Sequence, residues 1–349
     1  MQLLSLAILL PRLLAHPLDH IRRDDTCNAQ TAAVRKEWGS LTPFERLNYI
    51  SAVHCAQSTP SQLNLAASKS RYDDFAATHI QLTRSVHSNG VFFHWHRHFV
   101  YLWETFLREE CGYSGYQPYW NWALWPKLAS SPLFDGSVTS LGGDGEPIPD
   151  RPPTVIGSSL VLPPGSGGGC VMNGPFVNMT VTMGPFKFSD QITGLPSNWS
   201  DYNPRCLQRD LNDIGYQFTN QTVIDLALAQ PEIGALTEFV NSGVRGEQMG
   251  PHGGGHFAVG PLLFDTFASP FDPAFFVHHA MMDKLWLDWQ KIDFAEREFQ
   301  YNGTSTVFNG NSTPPVTNDT DMFFNSIGAS IKVKDVVDVQ SGPYCYRYE

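Results

Sequence analysis

Positive charge is scarce in this chain of 349 residues. It carries 23 Lys and Arg against 34 Asp and Glu, which gives a formal charge of −11 and a pI near 5.5. Phosphate backbones and anionic lipids repel such a chain, which argues against nucleic acid and membrane surfaces as partners. Long apolar runs are lacking too. Beyond the first 15 residues, no stretch approaches the roughly 20 apolar residues that span a bilayer.

The amino terminus has features of a secretory signal. An apolar run, Leu3 to Leu10, is followed by the small residue Ala15. The pair Arg22-Arg23 is either a dibasic processing site or part of a polar linker, and both interpretations stay open. We therefore expect residues 1–23 to be a signal peptide with a short propeptide. We expect residues 24–349 to form the mature protein, whose 42% hydrophobic content suffices for one large domain or two smaller ones.

Cysteines and glycosylation signals also predict an extracellular, secreted product. The six cysteines allow 15 pairings, of which we favour Cys27–Cys345, Cys55–Cys111 and Cys170–Cys206, all structural. Six Asn-x-Ser/Thr sequons predict N-glycans, at Asn178, Asn198, Asn220, Asn302, Asn311 and Asn318.

Histidine is concentrated in two parts of the chain. Four of the twelve histidines lie in HSNGVFFHWHRHFVYLWE, residues 87–104, and four more lie in PHGGGH and DPAFFVHHAMMD, residues 251–256 and 272–283. A site made of many imidazoles without cysteine suits copper best among the metals that imidazole binds. The sequence therefore predicts a copper site.

Apolar periodicity indicates which histidines face a core. Three helices are predicted, over residues 72–86, 94–110 and 273–294. Their stripes turn His79, His96 and His279 inward, whereas His278 points about 100° away from His279. Asp283 lies one turn beyond His279, where its carboxylate would support either a ligand ring or an adjacent packing network.

The remaining segments are less regular. Residues 127–204 are rich in glycine and proline and predict long loops with short strands. His252 and His256 have helical spacing, yet three glycines separate them at a cost of about 1 kcal/mol each relative to alanine. We expect those glycines to leave open space for a substrate above the two rings.

The two histidine-rich stretches, spacers included, resemble the copper-A and copper-B signatures of tyrosinases and catechol oxidases. The segments VRKEWGSLTPFERLNYISAVHCA and QPYWNWA, and the closing Tyr346-x-Tyr348, resemble that family as well. The resemblance extends from Cys27 to Glu349 and is strongest to short secreted fungal polyphenol oxidases. It implies a single, mainly α catalytic domain: a four-helix bundle around a dinuclear copper site, with long loops and a few short β-strands.

The resemblance also implies the ligands and the reaction. Two copper ions per chain would be bound, copper A by His79, His87 and His96, and copper B by His252, His256 and His279. Neutral imidazoles let both ions cycle between +1 and +2 while dioxygen lies between them. The expected partners are phenolic small molecules and O2, and the expected reaction oxidises o-diphenols to o-quinones. We expect a monomer or weak dimer.

Some positions depart from the family pattern. Ser85 occupies the place of a cysteine that many fungal relatives link to the second copper-A histidine, so no thioether is expected. Gly253 stands where strong monophenol hydroxylases often have asparagine, and Glu247 is the nearest candidate for their partner glutamate. We therefore expect weak or selective monophenol hydroxylation. Phe257 and Thr266 are predicted to lie at the substrate entrance.

Two other classes of function deserve comparison. A haemocyanin-like oxygen carrier would share the copper site but exclude phenols, and the glycines beside His252 argue against it. A zinc or di-iron hydrolase would need carboxylate ligands and a general base, and none stands at ligand spacing.

Overall fold

The computed structural model describes residues 27–156, 160–243, 249–311 and 313–349. Predictions on residues 1–23 and on Glu247 therefore lie outside the described residues. Within them the helices are α1 Pro43–Ser58, α2 Arg71–Val86, α3 Phe92–Glu109, α4 Asp190–Thr193, α5 Tyr216–Thr219, α6 Gln221–Leu228, α7 Ile233–Ser242, α8 Pro251–Val259, α9 Pro261–Phe264, α10 Ala274–Ile292 and α11 Phe294–Arg297.

The fold is mainly helical, as predicted, and the histidines of both clusters lie on α2, α3, α8 and α10, except His87, which directly follows α2. Helix α3 packs along α10, where Trp103 stacks on Phe276 with ring centroids 4.1 Å apart. Such a pair adds roughly 0.5–1.5 kcal/mol to the burial of both rings. The aromatic residues of the signatures thus fix the spacing of the helices that present the histidines.

The capping signals explain where several helices begin. Thr42 and Glu45 form a capping box at the start of α1. Helix α3 begins at Phe92, two residues before its predicted start. Helix α6 is capped by Asn220, whose side chain accepts the Val223 N–H at 3.2 Å.

The strands are short and form two-stranded pairs. They are β1 Ala33–Arg35, β2 Gly145–Pro147, β3 Thr154–Ile156, β4 Leu160–Leu162, β5 Gly168–Val171, β6 Thr180–Val181, β7 Arg205–Cys206, β8 Asp321–Met322, β9 Ile331–Lys332 and β10 Tyr346–Tyr348. Strand β1 pairs in parallel with β10, and the other pairs are antiparallel. The two ends of the described chain therefore meet at one place.

Disulfides join Cys27 to Cys345, Cys55 to Cys111 and Cys170 to Cys206, the three pairs favoured above. The first reinforces the β1–β10 pair, and the third ties the long loop region to β7. Within that region Phe176 is buried and Trp199 packs on the core, so these aromatic residues hold the loops against the helices. Phe188 instead stays 68% exposed.

A buried ion pair fixes the start of α10. Arg209 Nε and Nη2 donate to the two carboxylate oxygens of Asp272 at 2.8 and 2.7 Å, and neither side chain is exposed. Asp272 also accepts the Ala274 N–H at 2.9 Å. This contact anchors the end of α10 that carries its histidines. No helix in the described ranges is long and apolar enough to cross a membrane.

Candidate metal centre

The first histidine group consists of His79, His87 and His96, whose nearest ring nitrogens all lie within 4.8 Å of one another. Each ring donates its Nδ1 proton to a backbone carbonyl: His79 to Phe267 at 2.9 Å, His87 to Thr83 at 3.0 Å and His96 to Phe92 at 2.8 Å. A carbonyl only accepts, so these contacts place the proton on Nδ1 and the lone pair on Nε2.

The Nε2 atoms of this group are available for a metal. Those of His79 and His96 are buried and have no hydrogen-bond partner among the described residues. An unpaired buried nitrogen costs about 1–3 kcal/mol unless something binds it. All six cysteines are in disulfides, so none is left to form a thioether with His87. Three converging, unmodified imidazoles remain.

The second group brings three Nε2 atoms to one point. His256 Nε2 lies 3.1 Å from His252 Nε2 and 3.2 Å from His279 Nε2. His256 donates its Nδ1 proton to the Leu263 carbonyl, and His252 donates its own to Asn241 Oδ1 at 3.0 Å. His279 is held differently, because its ring stacks between Phe275 and His96 at centroid distances of 4.1 and 4.4 Å.

His278 belongs to the same cluster but has both nitrogens engaged. Its Nδ1 accepts the Trp122 Nε1–H at 3.0 Å, and its Nε2 then carries the proton and donates to the His252 carbonyl at 3.1 Å. No lone pair is left for a metal. His278 therefore supports the neighbouring rings. Trp122 lies in the segment QPYWNWA, and no local pattern predicts its hydrogen bond to His278.

The two groups are adjacent and form one centre. Rings of the first group lie against rings of the second. His96 stacks on His279, and the ring centroids of His87 and His252 are 6.2 Å apart. Only histidines make up the two groups found among the described residues, with no carboxylate or thiolate. Six neutral nitrogen donors suit a pair of copper ions. Metal sites of hydrolases usually include carboxylate ligands, and these groups contain none.

Burial keeps these rings neutral. It lowers the pKa of His87 to about 4 and that of His256 to about 3, although backbone hydrogen bonds act in the opposite direction. Burial and neighbouring histidines also hold the pKa of His79, His96 and His279 well below the ordinary value. Neutral imidazole is the form that binds metal, so the site is ready for a metal at neutral pH.

The glycines of α8 serve two different purposes. A Cβ at Gly255 would overlap the His278 ring, and one at Gly254 would overlap Phe218. Those two glycines permit close packing, so the expectation of open space above all three was wrong. At Gly253 the one described atom that a Cβ would approach is Met249 Cγ, at 3.3 Å, and a role of Gly253 in substrate access stays a prediction.

The other predicted entrance residues occupy distinct places. Phe257 is 6% exposed and packs with Leu162 and Met249, with its ring 5.7 Å from that of Phe264. Thr266 is partly exposed and accepts a hydrogen bond from Gln191 at 3.2 Å. It immediately precedes Phe267, whose carbonyl holds His79. Roles of Phe257 and Thr266 in substrate access stay predictions.

Asp283 belongs to a packing network, the second of the two alternatives given by the sequence. Its carboxylate accepts from Arg97 Nε at 2.5 Å, from the hydroxyls of Tyr346 and Tyr348 at 2.6 and 2.7 Å, and from Arg35 Nη1 at 3.3 Å. The network joins β1 and β10 to α10, one turn from His279.

Fold and site together define a class: helical oxidases that hold a dinuclear type 3 copper centre on histidine ligands. The model of the common central domain of tyrosinase matches residues 69–292. The chain is 46% identical over 328 residues to tyrosinase P of Aspergillus terreus, covering 90% of this chain and 91% of that protein. This protein belongs to the tyrosinase family.

Two further comparisons agree. The chain is 44% identical to N-acetyl-6-hydroxytryptophan oxidase of Emericella nidulans over 343 residues, covering 93% of this chain and 94% of that protein. A polyphenol oxidase from Thermothelomyces thermophila superposes with a TM-score of 0.84 at 40% identity, covering 93% of this chain and 90% of that one.

Proposed function

We propose that this tyrosinase-family oxidase converts o-diphenols to o-quinones and reduces O2 to water. The proposed ligands are His79, His87 and His96 for one copper ion and His252, His256 and His279 for the other. The free, convergent Nε2 atoms support this assignment. When bound, the copper pair supplies O2 binding and accepts the electrons of the phenol.

The chain's own residues orient the ligands and exclude competing chemistry. Backbone carbonyls select the Nδ1–H tautomer of four rings, and Asn241 does so for His252. The ring of Phe92, 4.7 Å from that of His252, and the ring of Phe275, against His279, provide an apolar wall. Low polarity there strengthens each ligand bond by keeping water away.

Access at His252 and Gly253 carries the proposal of turnover over that of oxygen carriage. Of the six proposed ligands, His252 is the most exposed, and the other five are buried. Gly253 adds no side chain above it. A planar phenol can therefore approach the second copper from this side, whereas an oxygen carrier would keep the position covered.

Monophenols are proposed to be poor substrates. Hydroxylation requires removal of the phenolic proton by a general base near the site. Among the described residues neither histidine group includes a carboxylate, and Gly253 offers no side chain to hold a water. The relative named N-acetyl-6-hydroxytryptophan oxidase makes hydroxyindoles a second substrate class to test.

The protein is proposed to be secreted after removal of residues 1–23, and residues 24–349 are proposed to form one domain. Three disulfides support an oxidising destination. Five of the sequon asparagines are exposed: Asn178, Asn198, Asn302, Asn311 and Asn318. Asn220 is only half-exposed, and its Nδ2 donates to Tyr216 and Gln217. We propose that Asn220 carries no glycan, because a glycan would compete with the cap.

Oxygen uptake by the copper-loaded protein tests this function. The substrates are catechol, phenol, 2-methoxyphenol and N-acetyl-6-hydroxytryptophan, with copper per chain measured on the same sample. We expect uptake on catechol at two coppers per chain and little on phenol. Reversible O2 binding without quinone formation would instead identify an oxygen carrier. Equal rates on catechol and phenol would contradict the proposed weakness toward monophenols.

A further inference from the structure

His252 is held differently from the other proposed ligands. The rings of His79, His87, His96 and His256 donate their Nδ1 protons to backbone carbonyls, and His279 Nδ1 has no hydrogen-bond partner among the described residues. His252 alone of these six gives its Nδ1 proton to a side chain, the amide oxygen of Asn241 at 3.0 Å. It is also the most exposed of the six proposed ligands.

The backbone is built to bring these two side chains together. Asn241 lies in the last turn of α7, and its carbonyl accepts the Gly250 N–H at 3.1 Å. A Cβ at Gly250 would overlap the carbonyls of Phe239 and Val240, so glycine allows α8 to start directly against α7. His252 then lies one residue inside α8, facing Asn241.

The direction of the Asn241 amide is also fixed. Its Nδ2 donates to the Thr237 carbonyl at 2.8 Å, one turn earlier in α7. Because a carbonyl only accepts, the amide nitrogen must face Thr237 and the amide oxygen must face His252. The oxygen in turn requires the proton on His252 Nδ1. The lone pair of His252 Nε2 is thereby directed at the point shared with His256 and His279.

We propose that Asn241 is a positioning residue for the second copper ion, through the tautomer, orientation and electron density of His252. This rests on the proposed role of His252 as a ligand. A backbone carbonyl cannot be altered by substitution, whereas this acceptor can. A neutral amide orients the ring without adding charge, whereas a carboxylate at the same place would make the imidazole more basic and favour Cu(II) over Cu(I).

Two substitutions separate these effects. Asn241→Leu keeps a similar volume but removes the acceptor, so His252 loses its preferred tautomer. Asn241→Asp restores an acceptor and adds a negative charge. The matched control is Asn48→Leu on α1, because Asn48 Oδ1 also accepts from a neighbouring segment, the N–H and hydroxyl of Ser114 at 3.0 and 2.8 Å.

The experiment measures copper per chain against a graded chelator, the unfolding midpoint of the copper-free protein and the reduction potential of bound copper. We expect Asn241→Leu to release one of its two coppers at a chelator activity roughly 10–100-fold lower than wild type, the usual cost of losing such a partner. Its copper-free unfolding midpoint should match that of Asn48→Leu. Asn241→Asp should retain both coppers at a lowered potential.

Two results would overturn the proposal. One is unchanged copper retention in Asn241→Leu together with an unchanged potential in Asn241→Asp. The other is a fall in the copper-free midpoint of Asn241→Leu without a change in copper retention, which would reduce Asn241 to a link between α7 and α8. Neither readout depends on phenol turnover. A wild-type protein that binds two coppers but oxidises no phenol would refute the proposed function and leave this test intact.

Discussion

Asp283→Asn should destabilise the protein strongly without removing copper ligands. The side chain is buried, and its two oxygens accept from Arg97, Arg35, Tyr346 and Tyr348 at 2.5 to 3.3 Å. Burial alone raises the pKa of Asp283, but Arg97 and Arg35 outweigh it and hold this pKa below its ordinary value. The carboxylate is therefore charged in the folded protein at neutral pH.

The magnitude follows from the charges left behind. The amide has nearly the same shape, but it leaves the Arg97 guanidinium buried without its anion and turns an N–H₂ group toward one of the donors. Removing one partner of a buried ion pair costs about 3–5 kcal/mol. The free energy of unfolding of a whole protein is roughly 5–15 kcal/mol, so this substitution should remove a large part of the total stability.

Urea unfolding of the copper-free protein gives the free energy directly. The control is Asp288→Asn, which breaks the partly exposed Lys284–Asp288 pair on the same helix and should cost less than about 1 kcal/mol. The folded fraction of Asp283→Asn should still bind two coppers. A destabilisation no larger than that of Asp288→Asn would refute the reasoning, as would selective loss of copper from protein that stays folded.

The remaining predictions concern the glycines and pH. Gly255→Ala should cost roughly 1–3 kcal/mol in urea unfolding, since its Cβ overlaps His278, whereas Gly253→Ala should cost far less; equal costs would contradict this. Gly253→Asn should raise phenol turnover relative to catechol, and an unchanged ratio would mean that access sets the preference. The copper-free protein should lose stability from pH 6.5 towards 4, because the unfolded chain takes up protons near pH 6.5 whereas the pKa values of His87 and His256 are about 4 and 3. A urea unfolding midpoint that stays constant between pH 6.5 and pH 4 would contradict this prediction.

The helices could be predicted from the sequence where apolar residues recur at helical spacing. His79, His96 and His279 follow apolar residues at helical spacing, so their inward direction could be predicted. The capping box at Thr42 is equally local. Local patterns do not give every helix boundary, since α3 begins at Phe92 and not at the predicted residue 94.

Contacts between distant segments could not be predicted in the same way. The hydrogen bonds of Trp122 to His278 and of Asn241 to His252 depend on how loops and helices dock in three dimensions. The glycines of α8 show the same limit. Their sequence indicated missing side chains, but only the folded chain shows that a Cβ at Gly255 would overlap the His278 ring whereas one at Gly253 would approach Met249 Cγ at 3.3 Å.

Copper content of two neighbouring variants tests the central claim most directly. His279 Nε2 converges with those of His252 and His256, whereas both nitrogens of His278 are hydrogen bonded within the protein. His279→Ala should therefore fall towards one copper per chain and lose catechol oxidation. His278→Ala should keep two coppers. Two coppers in His279→Ala, or equal losses in both variants, would contradict the ligand assignment.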